Sequence, residues 1–402
     1  MKRRIFNIVP VFTLLLLCGC LSFDGANPYA KSTHTLSVKP QYPDEFPSEL
    51  KGKTTLKISN RNQDISYTCA ADENGCFNME LPSGSYRLSL SYRFDGKTLG
   101  GMTDKVIIGS EDVSAGLALN ISLSGDIVFK EIYSGGCTKY PEEGNYQFDA
   151  YVIVHNNTDE VQYLDSLCFA ASDPYRSIAT NVWEDERDYI PAIQAVWQIG
   201  GDGRSFPLKP GEDAVIVVLG AIDHKATYPE SVNLNNSSYF VCYNNSFFDN
   251  PKYHPAPGNQ IRQDHLLNVV IKVGEASAYA ISIQSPALFI FKTPKGLTIQ
   301  DYILQEGTVI QKPGSAKDRI VKVPNKWVLD GVEVFEKNGN NKKRLSSEID
   351  ASAVVFSGPF QGHSIFRKTD ESASEMMGFE VLQDTNNSSE DMYEREKQSL
   401  NE

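Results

Sequence analysis

The sequence offers few side chains whose type and spacing would support catalysis. A serine hydrolase places its nucleophile in a Gly-x-Ser-x-Gly turn, and none of the 402 residues forms one. Ser364 follows Gly362 and His363 but lacks the second glycine, so we expect it at the edge of a sandwich. Paired carboxylates would define a glycosidase by their separation, about 5–9 Å, which a sequence does not supply. We therefore predict a non-enzymatic protein, with a carboxylate-based hydrolase as an alternative.

The histidines and the densest acidic run do not have the spacing of metal ligands. His224, His254 and His265 lie far apart among Asn and Pro, without the short helical spacing of a zinc site. We expect them to be exposed loop residues. The acidic residues between Glu184 and Asp188 lack the alternating, Gly-centred pattern of a calcium loop, so a solvated charge run is favoured. The sequence predicts no metal and no cofactor.

Tryptophan and tyrosine residues crowd the middle of the chain, in long segments rich in Asn and Pro. Aromatic rings displayed beside amide side chains are typical of recognition surfaces, including those for sugars. The alternative is that these rings pack the loops and the core. The candidates for a ligand-binding role, for a glycan or a peptide, are Trp183, Tyr189, Trp197, Tyr243 and Tyr253.

The N-terminus carries a charged segment and then an apolar run from Ile5 to Leu17, too short to span a bilayer of about 30 Å as a helix. The run ends Leu17-Cys18-Gly19-Cys20, which resembles the lipobox of bacterial lipoproteins. That resemblance implies a signal peptide over 1–19, acylation of the Cys20 thiol, and a lipidated tether over 20–33. A plain secretory signal or an N-terminal membrane helix is the alternative.

The lipobox resemblance also implies a location. Leu21 is not the Asp that retains some lipoproteins in the inner membrane, so we expect a lipid anchor in the outer membrane. A cell-surface orientation of the anchored protein is favoured, and a periplasmic orientation is the alternative. The membrane would then be the first partner of the protein.

Composition narrows the class of partner. The formal net charge of −13 would become −16 once Lys2, Arg3 and Arg4 left with the signal, and an acidic chain is repelled by phosphate backbones. Nucleic-acid binding is therefore disfavoured. With 41% hydrophobic and 10% aromatic residues, the chain is able to form packed cores in two or three domains.

Five cysteines would remain in an oxidising compartment after Cys18 and Cys20 are set aside, so at least one thiol is unpaired within the monomer. Cys69 and Cys76 lie in adjacent strands of a predicted hairpin, although the expected register does not place them directly opposite each other. A disulfide between them is left open.

Alternating apolar and polar residues predict an all-β fold from His34 onwards, because a period of two buries one face of a strand. The segment from Ala71 to Leu90 is similar to the signature of transthyretin-like, carboxypeptidase-regulatory sandwiches, "acid-x-x-Gly-x-Phe…Leu-Pro-x-Gly-x-Tyr-x-Leu". The resemblance implies a first sandwich over 34–124, with Gly75 in a left-handed turn and Phe77 facing inward. Such modules say little about function.

A second, larger sandwich is predicted over 125–389. Its ordered motifs, among them Leu208-Lys-Pro-Gly-Glu and Gly362-His-Ser-Ile-Phe-Arg, resemble the lamin-tail-like immunoglobulin sandwich. More closely, they resemble an uncharacterised family of Gram-negative surface lipoproteins that carry this domain. The long segments 172–207 and 223–268 exceed ordinary hairpin loops and are expected to be functional or disordered. A polar tail, 390–402, is predicted to be disordered.

These features together predict two tandem β-sandwiches anchored at the outer membrane and acting as a binding or accessory module. The family resemblance implies an accessory role for a TonB-dependent uptake receptor. A structural or adhesive surface protein is the second hypothesis, and the carboxylate-based hydrolase is the third.

Overall fold

The computed structural model describes residues 33–60, 65–94, 97–123, 125–183, 187–370, 374 and 377–401. The predicted signal peptide, Cys20 and the tether up to residue 32 lie outside these residues, as do the acidic residues 184–186. Within the described residues nearly all regular structure is β-strand, so the prediction of an all-β fold is confirmed.

The N-terminal sandwich consists of a three-stranded sheet, in the order β4-β1-β7, and a five-stranded sheet, in the order β3-β2-β5-β6-β8. Inward residues such as Val38 of β1 and Leu56 of β2 are fully buried between the two sheets, while their neighbours face water. This is the alternation that the sequence predicted. The strands are β1 Thr33–Gln41, β2 Thr55–Asn60, β3 Ser66–Ala70, β4 Phe77–Pro82, β5 Gly84–Phe94, β6 Lys97–Ile108, β7 Val113–Ala118 and β8 Asn120–Leu123, with a 3-10 helix at Ser48–Lys53.

The turn before β4 has the predicted conformation. Gly75 has φ = +79°, and a Cβ at this position would lie 2.7 Å from the Tyr42 ring, so only glycine fits. The predicted hairpin around this turn is wrong, however, because β3 pairs with β2 while β4 pairs with β1 in the other sheet. Cys69 on β3 and Cys76 before β4 are both free thiols, and Cys69 donates to the Asn78 carbonyl.

The larger C-terminal sandwich begins with β9 and contains short helices between its strands. Its strands are β9 Ile127–Tyr133, β10 Cys137–Thr138, β11 Asn145–Tyr146, β12 Tyr151–Asn156, β13 Gln162–Tyr163, β14 Cys168–Ser172, β15 Tyr189–Gln198, β16 Pro207–Leu208, β17 Asp213–Val217, β18 Phe240–Val241, β19 Asn268–Lys272, β20 Ala287–Phe291, β21 Val309–Gln311, β22 Arg319–Pro324, β23 Val328–Glu336, β24 Val354–Phe356, β25 Ser364–Arg367 and β26 Met392–Arg395. The helices are α1 Ile299–Ile303 and α2 Ser388–Asp391, with 3-10 turns at Gln263–His265, Asn325–Trp327 and Ser399–Asn401.

Two large sheets face each other in this sandwich. One has the order β18-β17-β12-β9-β25-β26, and the other has the order β21-β22-β15-β14-β20-β23-β24, with β19 also paired to β15. Their inner faces form one apolar core, to which Phe129 and Val152 contribute from the first sheet and Trp197 and Leu288 from the second.

The outer faces of both sheets are covered as well. Tyr151 and Val217 of the first sheet pack against Val232 and Leu234 from the long segment that follows β17. Helix α1 covers the second sheet together with Trp327 and Leu345. Burial on both faces explains why β12, β14 and β20 are buried at every position and apolar without strict alternation. Residues of the segment 223–268 thus form a covering layer, and 172–207 contains strand β15, which corrects the expectation of disorder.

The predicted disordered tail is instead part of the sandwich, over residues 390–401. Strand β26 pairs antiparallel with β25, and Gln398 and Asn401 are buried. Ser399 donates through its backbone N–H, at 3.0 Å, and through its hydroxyl to the buried Glu131 carboxylate. The polar composition of this segment reflects specific hydrogen bonds to buried groups, which composition alone does not reveal.

A buried arginine joins the two sheets and the C-terminal segment. Arg367 of β25 donates to Asp330 of β23 at 2.5 Å and to the Phe129 carbonyl of β9 at 2.6 Å. The same guanidinium donates to Asp384 at 3.3 Å and lies 3.8 Å from Asp391. All four charged side chains are at most 2% exposed.

This cluster contains three carboxyls and one guanidinium, so it is short of positive charge. Burial and the neighbouring charge of Asp384, opposed by the Arg367 guanidinium, raise the pKa of Asp330 to about 7 and that of Asp391 to about 6. The pKa values of Asp330 and Asp391 are higher in the folded protein than in the unfolded chain. The contribution of these two carboxyls to the free energy of unfolding is therefore complete below about pH 4 and is lost as the pH rises through 6 and 7.

Arg367→Met should destabilise the fold strongly, because it leaves three buried carboxyls without their countercharge. We expect the free energy of unfolding in urea at pH 8 to fall by about 3–5 kcal/mol, with partial recovery at pH 5, where the carboxyls take up protons. Arg319→Met, at an exposed position on β22, is the control and should change little. Equal losses for the two variants would contradict the central role of Arg367.

Asp384→Asn should reduce the pH dependence of stability. Removing its charge lowers the pKa values of Asp330 and Asp391, so the fall in the thermal midpoint between pH 5 and pH 8 should be smaller than in the wild type. Buried histidines titrate in the opposite direction, but they are the same in both proteins and cancel in the comparison. The exposed Asp249→Asn is the control. Parallel curves for wild type and Asp384→Asn would show that Asp384 is not coupled to the other carboxyls.

Candidate functional site

A cleft opens at one end of the large sandwich, where strands of both sheets begin or end together. The register places Tyr133, Tyr151 and Val217 side by side at this end of the first sheet. In the second sheet, Ala171 pairs with Leu288 near the same end. The segments that continue beyond these residues form the walls of the cleft, which we call the end cleft.

The end cleft has a volume of about 500 Å³, within the range of about 300–1,000 Å³ that is usual for small-molecule sites. Most of its exposed lining is apolar. The lining residues are Ser134, Gln147, Phe148, Ala150, Tyr175, Arg176, Leu219, Tyr253 and Ala278 together with Ala280–Gln284.

Three aromatic rings form part of the wall of the end cleft. Tyr253 packs against Phe148 with ring centroids 5.3 Å apart, and Lys252 lies over the Tyr253 ring at 5.1 Å. The hydroxyl of Tyr175 donates to the Ile281 carbonyl at 2.7 Å, which fixes its ring across the cleft wall. Tyr175 and Tyr253 are 40% and 38% exposed, so both rings are available to a ligand.

The polar groups of the end cleft carry little free charge. Arg176 forms a two-pronged ion pair with Glu336, through contacts of 3.0 and 2.8 Å. No carboxylate occurs among the described residues that line the cleft. The side-chain amides of Gln147 and Gln284 have no hydrogen-bond partner among the described residues, so they are free to bond a ligand.

A buried polar cluster supports the wall behind Phe148. Asp149 is 1% exposed and accepts hydrogen bonds from the hydroxyls of Tyr133, at 3.0 Å, and Ser231, at 2.5 Å. Its second oxygen has no partner among the described residues. Burial raises the pKa of Asp149 to about 6 and that of the neighbouring Cys137 thiol to about 12, so this thiol is not a nucleophilic thiolate.

His224 connects this wall to the turn after β17. A carbonyl only accepts hydrogen bonds, so Nε2 of His224 carries the proton donated to the Gly220 carbonyl, and Nδ1 accepts from the Tyr146 hydroxyl at 2.6 Å. Burial lowers the pKa of His224 to about 4, in agreement with a neutral ring. Gly220 has φ = +72°, and a Cβ there would meet the Phe148 carbonyl at 2.1 Å.

The predicted aromatic surface is separated by the fold, and only Tyr253 lines the end cleft. Trp197 is fully buried in the core, stacked on Phe248 at 5.6 Å, so its predicted ligand-facing role is wrong. Tyr243 is stacked on His254 at 4.9 Å. These rings pack the core and its covering layers, which is the alternative that the sequence left open.

Trp183 and Tyr189 lie elsewhere. The Trp183 indole donates to Asp173 at 2.8 Å and is 8% exposed, so it too packs the interior. Tyr189 lines a separate cavity of about 470 Å³ and carries Lys322 above its ring at 4.7 Å.

The histidines that were expected to be exposed are buried. His224, His254 and His265 are 2%, 4% and 6% exposed, and His265 stacks on Phe240 at 4.5 Å. Burial lowers the pKa of all three, so each is a neutral packing residue. The long segments enclose them in the covering layers described above.

Ser364 is also buried and has no hydrogen-bond partner for its hydroxyl among the described residues, while the adjacent His363 pairs with Glu394 at 2.6 Å. Over the described part of the chain, no group of three or more His, Cys, Asp and Glu side chains is placed to hold a metal ion. The helices in that part are all too short or too polar to cross a membrane.

Sequence reasoning missed most of the end cleft. Phe148, Tyr175 and the segment from Ala278 to Gln284 lie far apart in the chain, and each precedes or follows a strand without a motif of its own. The available signal was positional, because Phe148 and Ala278–Gln284 directly precede the apolar strands β12 and β20.

Comparisons with known proteins agree with the fold. A crystal structure of a DUF4876 family protein from Bacteroides thetaiotaomicron matches with 25% identity and a TM-score of 0.58, and the match covers 89% of this chain and 94% of that one. A DUF3823 family protein from Parabacteroides merdae matches with 14% identity over 42% of this chain and 82% of that one, but its TM-score of 0.16 is too low to support an argument. A comparison with curated proteins finds no match.

The family comparison covers the second half of the chain. Residues 209–399 match the model of a family described as "Protein of unknown function (DUF4876)". The prediction of a β-sandwich fold is thereby confirmed and an uncharacterised family is consistent with these matches, whereas the lipoprotein and lamin-tail-like features stay predictions. By sequence over 209–399, and by fold over most of its length, this chain is similar to DUF4876 proteins.

Proposed function

We propose that this protein is a non-catalytic binding module whose ligand occupies the end cleft. The observation that carries the proposal is the joint placement of Phe148, Tyr175 and Tyr253 around a preformed apolar cavity of about 500 Å³. Cavities of this size with apolar walls and a few free polar groups are typical of small-molecule sites.

The lining of the end cleft defines the chemistry of the ligand. The positive charge of Arg176 is already neutralised by Glu336, and the other described residues that line the cleft carry no charged side chain, so the walls favour an uncharged ligand. Apolar rings favour a flat or aliphatic group, and the amides of Gln147 and Gln284 would bond its polar edge. We therefore propose an uncharged, largely apolar group, either free or as part of a peptide.

The carboxylate-based hydrolase is the weaker alternative. General acid–base catalysis needs a carboxyl within hydrogen-bond reach of the substrate. Asp149, the carboxyl behind the cleft wall, is 1% exposed and directs one oxygen towards Tyr133 and Ser231, inside the protein. A binding role fits this arrangement better.

The location of the protein is part of the proposal. An acyl chain on Cys20 would hold both sandwiches at the outer membrane, where the end cleft would be open to ligands. The partner we propose is a TonB-dependent uptake receptor, to which this protein would act as an accessory. A structural or adhesive surface role would use the same anchor without an occupied cleft.

Tyr253→Ala should weaken binding of an apolar probe by about 5- to 10-fold, because it removes one wall of the cleft. The probe is the neutral dye N-phenyl-1-naphthylamine, whose fluorescence rises in apolar surroundings. Tyr393→Ala is the matched control, since Tyr393 is 41% exposed and lies on β26, away from the cleft, and it should leave the affinity unchanged. Equal affinities of wild type and Tyr253→Ala for the dye would contradict binding in the end cleft.

Ala278→Trp provides an independent check of the same site. Ala278 lines the end cleft, so an indole at this position should fill the space and abolish dye binding. Circular dichroism would verify that the variant retains its β-sheet spectrum. A folded variant with undiminished binding would place the dye elsewhere.

Cys20→Ala should release the protein from membranes of its own host, because no thiol remains to accept the lipid. Fractionation and mass spectrometry of the mature N-terminus measure this directly. Cys18→Ala is the control, since Cys18 would leave with the signal peptide. Membrane retention of Cys20→Ala would contradict lipid anchoring.

A further inference from the structure

A second cleft lies between the two sandwiches, and we call it the interdomain cleft. Its volume is about 680 Å³, larger than that of the end cleft. Strands β2, β5, β6, β7 and β8 of the first sandwich form one wall. The opposite wall comes from the second sandwich, through residues 347–351, 369–370 and 383–390.

The wall formed by the second sandwich, which we call the far wall, is held in place by hydrogen bonds to buried carboxylates; the wall formed by the first sandwich is the near wall. The Asp391 carboxylate accepts hydrogen bonds from both the backbone N–H and the hydroxyl of Thr385, at 2.7 and 2.9 Å. The Ser388 hydroxyl donates to buried Asp350 at 2.6 Å. Because Asp391 also belongs to the Arg367 cluster, this loop is fixed to the core of the second sandwich.

The near wall is a regular sheet surface with little relief. Gly100 of β6 pairs with Asn120 of β8 and has no side chain to project into the cleft. The Thr385 carbonyl lies 3.6 Å from the position that a Cβ on Gly100 would occupy. The two walls therefore approach closely at one side and leave a cavity at the other.

One carboxylate links the two walls. Glu390 of the far wall contacts Arg87 at 3.3 Å and Lys57 at 3.5 Å, both from the first sandwich. These ion pairs are partly exposed, so each adds little stability on its own. They nevertheless set the spacing of the walls and neutralise Lys57, the cation that lines the cleft.

The remaining lining groups favour a neutral, hydroxyl-rich ligand. Thr55 and Asn120 on the near wall have side chains without a hydrogen-bond partner among the described residues. The exposed methyl groups of Ala118 and Ala351 supply apolar surface beside them. A sugar ring presents hydroxyls at its edge and C–H groups on its faces. The amide and hydroxyl side chains of the cleft would bond the sugar hydroxyls, and its apolar surface would pack against the C–H groups. The carboxylate of Glu348 on the far wall opposes anionic ligands.

We propose that the interdomain cleft binds a neutral oligosaccharide, which bridges the two sandwiches. This site is separate from the end cleft and goes beyond the binding function proposed above. Ligand sites occur preferentially at domain interfaces, where two rigid surfaces converge on one molecule. A bound saccharide would add contacts to the few ion pairs that now join the walls.

The test is a calorimetric titration of the full mature chain with neutral tetrasaccharides of glucose, mannose and xylose. We expect at least one of them to bind, and Asn120→Ala to weaken that binding 5-fold or more. Asn78→Ala, an exposed strand asparagine of the other sheet, should have no effect. Gly100→Leu, which projects a side chain into the cleft, should abolish binding.

Hydrogen exchange measured with the bound saccharide locates the site. Protection of both walls, near residues 118–121 and 383–390, is the expected result. Protection at the end cleft instead would overturn the proposal, as would the failure of all three tetrasaccharides or binding of neutral tetrapeptides in their place. Asn120→Ala should still bind the apolar dye normally, so a failure here is distinguishable from a failure of the end cleft.

Discussion

The buried Arg367 cluster is the interaction on which the large sandwich depends. One guanidinium holds a strand of each sheet through Phe129 and Asp330, and it fixes the C-terminal segment through Asp384 and Asp391. Taking four charged groups out of water is costly, and that cost is offset only while every partner is present. The cluster therefore specifies one arrangement of sheets and C-terminal segment, and through Asp391 it also shapes the far wall of the interdomain cleft.

The second constraint is that both large sheets are buried on both faces. Antiparallel sheets often leave one face to water, but here the long segments after β17 and around α1 cover the outer faces. Aromatic residues of the middle region are used inside the fold, with Trp197 in the core between the sheets and Tyr243 in the covering of an outer face. Clefts are consequently left at the ends and edges of the sandwich, where strands stop and the covering layers separate.

The two clefts differ in chemistry because they are built from different parts of the fold. The end cleft lies between two apolar sheets, so its walls are aromatic and its single charged side chain is already paired. The interdomain cleft lies between two solvent-facing surfaces, so its walls carry hydroxyl, amide and charged groups. The chain therefore has one apolar cleft and one polar cleft, because different surfaces form them. Each cleft can be tested without the other.

Local pattern determined the all-β class and the left-handed turn at Gly75, because these depend on nearest neighbours and on a period of two. The same pattern could not show that Trp197 is core, that the C-terminal residues are ordered, or that β3 and β4 belong to different sheets. Those outcomes depend on contacts between residues far apart in the chain, such as the pairing of Arg367 with Asp330. The candidate sites follow the same rule: Tyr253 was visible as an aromatic residue in a polar segment, but only tertiary packing brought Phe148 and Tyr175 beside it, because a cleft is a property of surfaces that meet in space.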